Sequence, residues 1–197
     1  MPNSTIRDRL LALAREDLAT RERLAANGTL YSGYHPEMQA IHESNALALE
    51  EIIEEIGWPT KGRVGKDGSE AAWIIAQHAI GLPEFQRRCL SAIKGAVQQD
   101  EAPAWQYAML LDRIRVFEGR TQLYGTSFDW DEEGNMSPLP IEASDLVDHR
   151  RLAVGLPNLA EAIAAKRAET QNEPRPSDFH ARQQSMHEWA RDVGWRT

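Results

Sequence analysis

Several polar residues stand where the helical pattern asks for apolar ones, and these are the side chains able to do chemistry. In Trp73-Ile-Ile-Ala-Gln77-His78, Gln77 shares a face with Trp73, and His78 lies over Ile74 and Ile75. In Leu110-Leu-Asp112-Arg113-Ile114, Asp112 lies over Ala108, Met109 and Val116, and Arg113 over Met109, Leu110 and Phe117. Asn45 falls inside the stripe Met38, Ile41, Leu49, Ile52, Ile56, with His42 three residues before it. Gln86 and Arg87 follow Phe85, and Gln122 and Tyr124 lie on one expected strand. Burying such a group without a hydrogen-bond partner costs a few kcal/mol, so these residues pair with one another or bind something.

If the elements that carry them converge, His78 is a general base positioned by Asp112, and Arg113 or Arg87 binds an anion. The catalytic candidates are His78, Asp112 and Arg113. The substrate-binding candidates are Gln77, Gln86, Arg87, Gln122, Tyr124, His42 and Asn45. The same groups also read as a satisfied buried network, with Asp112 paired to an arginine and the glutamines capping helix ends and hairpin backbone.

Other chemistry has less support. Cys89 lies in the stripe Phe85, Cys89, Ile93, Val97 and reads as a small core residue. His35 and His42 are seven residues apart, about two helical turns, too far to share an ion without further ligands; His180 and His187 repeat that spacing. The pair His42-Glu43 lacks the second histidine of a zinc-protease helix. The expectation is therefore no metal and no cofactor. The acidic run 129–133 reads as a solvated turn. Ser127 and Thr126 follow a glycine without the nucleophile-elbow pattern. Trp58, Trp73, Trp105 and Trp130 read as core, though aromatic walls also suit a ligand.

The elements that must position these groups are mostly helices. Residues 4–26 form a charged amphipathic arm whose turns are marked by Ile6, Leu10, Leu13, Asp17 and Leu24, stopped at Asn27-Gly28. Apolar periodicity predicts helices over 36–56, 71–80, 83–98 and 104–118. The glycine-rich stretch 61–68 reads as a loop, and it lacks the Gly-Lys-Ser/Thr ending of a phosphate-binding loop. A β-hairpin is expected over about 122–141, a helical turn at 147–152, and helices at 157–170 and 177–195. The fold class is mainly α: a compact multi-helix domain with a small β-hairpin, plus N- and C-terminal helical extensions. The boundaries are 1–35 for the first extension, 36–170 for the core domain, and 171–197 for the linker and last helix.

Composition narrows the function. The chain has 197 residues, 42% apolar and 26% charged, which suits a globular protein. A net charge of −8 argues against nucleic acid as a partner. One cysteine permits no disulfide framework and fits a reducing cytoplasm. The first 26 residues have no apolar core and so are no signal peptide, and no stretch reaches the roughly 18 apolar residues of a membrane span.

Glu55-Ile-Gly-Trp-Pro59, Val64-Gly65, Ala71-Ala-Trp-Ile-Ile-Ala-Gln-His-Ala79, Phe85-Gln86, Leu111-Asp-Arg113, Gln122-Leu-Tyr-Gly-Thr126 and Val154-Gly-Leu156 occur in that order. As an ordered set covering about 38–163, they resemble the bacterial domain-of-unknown-function family 6624. The resemblance implies common ancestry and one compact domain, with no reaction attached. Ser127 stands where the resemblance leads one to expect Gln.

Two functions follow. The first is a small-molecule-binding protein or enzyme doing metal-independent acid–base chemistry on a polar or anionic ligand. The second is a protein-interaction module, or a homodimer, that docks through the apolar faces of its terminal helices while the polar cluster is structural.

Overall fold

The computed structural model describes residues 3–31 and 33–196. Among them are eight α-helices and one two-stranded antiparallel sheet, so the chain is mainly α with a small hairpin. Contacts divide it into two compact units, Met1–Pro103 and Ala104–Thr197. No described helix is long and apolar enough to cross a membrane.

Unit 1 holds α1 (Ser4–Ala26), α2 (Pro36–Ile56), α3 (Lys61–His78) and α4 (Pro83–Gln98). The Asn3 side chain caps α1 by accepting from Ile6 N at 3.1 Å. Proline at the first position opens α2 and α4, where its missing N–H costs nothing. The arm is part of this unit's core: α1 buries Ile6, Leu10, Ala14, Asp17, Thr20 and Leu24 and packs against α3 and α2.

The stretch 61–68, expected as a loop, is helical on both sides of Gly65, whose φ of 78° and ψ of 165° kink α3. Gly68 supplies close approach instead. A Cβ there would lie 3.1 Å from Val64 and 3.2 Å from Cγ of Arg7 on α1. Glycines spaced for a loop here serve a break and a helix contact.

Unit 2 holds α5 (Ala104–Phe117), β1 (Phe128–Trp130), β2 (Met136–Pro138), α6 (Val147–Ala153), α7 (Leu159–Glu169) and α8 (Phe179–Asp192). The strands pair Phe128 with Pro138, Asp129 with Ser137 and Trp130 with Met136, a shorter ladder than the expected 122–141. The acidic turn between them is held from within: Asp131 accepts from Asn135 N at 2.7 Å and from Ser137 Oγ at 2.6 Å. Asp129, expected in solvent, is buried and paired with Arg182 of α8 at 2.9 Å.

The C-terminal segment closes α5. Arg196 donates to the carbonyls of Phe117 and Val116 at 2.6 and 2.8 Å, and Trp189 and Trp195 both pack on the Phe117 ring. Trp189 and Trp195, two of the aromatic residues expected on a docking face, therefore pack inside the unit.

Gly125 has the closest neighbours of the glycines in unit 2. Its φ is 64°, and a Cβ would sit 2.8 Å from Ile141 Cδ1 and 2.9 Å from Leu159 Cδ1. Gly125→Ala should cost about 1–3 kcal/mol through strain and overpacking. Urea unfolding would show a lowered midpoint at constant slope. An unchanged midpoint would refute the assignment.

Candidate functional site

In unit 1 three helices converge on one carboxylate. Asp17 falls in the apolar stripe of α1, so packing α1 against α3 removes it from solvent completely. His42 Nε2 lies 3.3 Å from Asp17 Oδ1, and His78 Nδ1 lies 2.7 Å from Oδ2. With the imidazoles neutral, each donates an N–H to its oxygen, so the carboxylate fixes both tautomers. The outer nitrogen of His42 then accepts from the Tyr34 hydroxyl at 2.8 Å, and the Tyr34 ring stacks on the imidazole. The two imidazole centroids are 5.3 Å apart. Asp17 and His42 are buried, whereas the His78 side chain is 24% exposed and forms the open side of the cluster.

Neighbouring polar residues hold this geometry. Gln86, fully buried on α4, donates to the carbonyls of Ala76 and Gln77 at 2.7 and 3.1 Å. Those carbonyls belong to the last turn of α3, which has no helical partners for them, so Gln86 fixes the turn that ends in His78. Asn45 donates to Leu13 O at 3.2 Å and ties α2 to α1 one turn before Asp17. Gln77 is buried, and its Oε1 has no hydrogen-bond partner among the described residues. Arg87 is half-buried on α4 and pairs with Glu84.

Burial alone would push the Asp17 carboxyl up, but its interactions with His42 and His78, chiefly their hydrogen bonds, outweigh it and hold it well below the usual carboxylate range. Burial, reinforced by Glu43 and Asp17, pushes the Tyr34 hydroxyl up, so it stays protonated. Burial likewise lifts the Cys89 thiol to about 12, which agrees with a core residue rather than a nucleophile. Because the Asp17 carboxyl is depressed on folding, its stabilisation is complete above the unfolded value of about 3.9 and is lost as pH falls below it. Acid unfolding followed by circular dichroism should therefore be steeper for wild type than for Asp17→Asn. Superimposable acid transitions would contradict the pairing.

The remaining candidates belong to unit 2, where Asp112 and Gln122 secure a loop. Asp112 was expected to position His78; the carboxylate that holds His78 is Asp17. Asp112 instead accepts from the backbone N–H groups of Leu123, Tyr124 and Thr126 and from the Thr126 hydroxyl, at 2.7–3.2 Å. Gln122 donates to Ser127 O and Leu139 O and accepts from Ser127 N, stapling the loop to the hairpin. From the other side, Arg151 donates to the carbonyls of Tyr124, Gly125 and Pro157, and Arg150 to those of Leu123, Glu142 and Ala143. The N–H groups of Leu123, Tyr124 and Thr126 thus rest on an aspartate, and the carbonyls of Leu123, Tyr124 and Gly125 on two arginines. Tyr124 takes part through its backbone, and Arg113 is half-buried on α5.

Residues 4–169 match the model of a family of unknown function, DUF6624. The chain belongs to this family. The DUF6624 match reaches back to Ser4, well before the span 38–163 over which motifs were visible, and so takes in α1 and Asp17. It ends at the close of α7, before α8. No curated protein and no solved structure matches the chain.

Asp17 is the residue that the candidate list lacked. Its signal was present, a carboxylate at an apolar position of an amphipathic helix, but it lies 25 residues from His42 and 61 from His78.

Proposed function

We propose that unit 1 binds and transforms a small polar or anionic molecule at the Asp17–His42–His78 centre, by proton-transfer chemistry. The observation that carries this reading is a fully buried carboxylate in an apolar helix stripe holding imidazoles from two other helices, one of them open to solvent. A fold has little need of such a group, because well-packed apolar residues replace buried ionic clusters at no loss of stability in many proteins. Carboxylate-linked imidazoles, by contrast, accept and deliver protons near neutral pH. A net charge of −8 and a single buried cysteine support a cytoplasmic protein without a nucleic-acid partner.

The test is a thermal-shift screen of purified protein against polar and anionic metabolites, repeated with His78→Ala and Asp17→Asn. A ligand present at about a hundred times its Kd adds roughly 2.7 kcal/mol of stability, a shift of several degrees. The reading expects such a shift in wild type and none in the folded variants. A ligand that stabilises all three proteins equally binds elsewhere and overturns it.

A further inference from the structure

We infer that Asp17, His42 and His78 form a binding site for one divalent transition-metal ion, with Tyr34 as the outer partner of His42. This rests on the reading of the cluster as a reaction centre and names what that centre holds; the imidazoles then serve as ligands, and the proton-transferring group would be a water on the ion. One carboxylate oxygen and one nitrogen from each imidazole all lie within 4.8 Å of one another. Metal–nitrogen and metal–oxygen bonds of about 2.0–2.2 Å place neighbouring ligand atoms roughly 3–3.5 Å apart. His42 and His78 approach different oxygens of that carboxylate, at 3.3 and 2.7 Å, and any pair in the set as wide as the 4.8 Å limit closes by about 1.5 Å when one ion binds all three. Three helices supply the ligands, so the backbone already holds them facing inward.

The surroundings of His42 fit the same reading. A histidine that binds metal through one nitrogen almost always donates the other N–H to an oxygen, which fixes ring orientation. Tyr34 Oη lies 2.8 Å from His42 Nδ1 and is able to accept that bond. Proton balance is simple: each neutral imidazole keeps one proton, His42 moving it from Nε2 to Nδ1 and His78 from Nδ1 to Nε2. The ion takes the place of the two N–H groups beside Asp17.

The donor set narrows the ion. Two imidazoles and one carboxylate, with the one thiol buried in α4, favour zinc, iron(II), manganese, cobalt or nickel over magnesium or calcium. Three protein ligands leave coordination positions open, and one carboxylate leaves a net positive charge, which suits a water molecule and an anionic or polar substrate. The partly exposed His78 side places those open positions toward solvent.

The probe is cobalt(II), titrated into chelator-treated, tag-free full-length protein and read by visible absorption, with zinc(II) as competitor. One ion per chain is expected. His42→Gln and His78→Gln should weaken binding at least 100-fold, Tyr34→Phe about 10–100-fold, and Cys89→Ser not at all. Circular dichroism establishes which variants are folded; should His42→Gln fail, His78→Gln and Tyr34→Phe decide. No stoichiometric binding by folded wild type, or wild-type affinity in both of those variants, overturns the inference. If a metabolite stabilises metal-free wild type while cobalt does not bind, the metal falls and the reaction centre stands. If cobalt binds one-to-one through these residues and no metabolite stabilises the loaded protein, the metal site stands and the enzymatic reading falls.

Discussion

Asp112→Ala should lower stability by about 3–5 kcal/mol, among the largest effects of any single substitution in this chain. The carboxylate is fully buried and is the acceptor for three backbone N–H groups and one hydroxyl of the 123–126 loop. Alanine leaves those donors buried without partners, at about 1–3 kcal/mol each before relaxation. Asp112→Asn keeps one carbonyl oxygen and should lose roughly half as much. Urea unfolding by circular dichroism gives both values. A loss below about 1 kcal/mol for alanine would show that the loop is held by Arg150 and Arg151 without its aspartate.

Asp17→Ala should lose a similar amount, about 3–5 kcal/mol, for a different reason: it strips the shared acceptor from two imidazoles in a nearly closed cluster. The separating experiment replaces the whole centre. With Asp17, His42 and His78 all changed to leucine, neither a carboxylate nor an imidazole is left buried without its partner, Tyr34 alone losing its bond to His42, and stability should return to within about 1–2 kcal/mol of wild type. Binding of cobalt and of any metabolite should be abolished in that folded protein. The two measurements together show that the centre serves the ligand and not the fold. A triple variant that stays as unstable as Asp17→Ala would mean the cluster is needed for packing, and the functional reading would fail.

The two buried aspartates illustrate what periodicity can and cannot tell. Both stand where a helix wants an apolar side chain, so burial is legible from the spacing of their neighbours. Their partners are not. Asp112 binds donors only 11–14 residues away, in the loop that follows its own helix. Asp17 meets side chains on α2 and α3, and no local pattern encodes that meeting. Arg150 and Arg151 carry no local signal for a similar reason: they sit on a short helix of ordinary charge, and only the fold brings them against loop carbonyls.

The sequence by itself determined the helix-rich class, the limits of α2 and α4 at proline starts, the hairpin around an acidic turn, and the burial of His42, Asn45, Gln77, Gln86, Asp112 and Gln122. Those properties follow from the 3.6-residue repeat, from proline and glycine backbone preferences, and from the cost of burying unpaired polar groups, all of which act over a few residues. Tertiary structure alone decided that the arm 4–26 is core, that the 61–68 stretch is a kinked helix, and that His78 faces Asp17. These depend on the angle and offset at which α1, α2 and α3 pack, which many distributed contacts set together and no short segment carries.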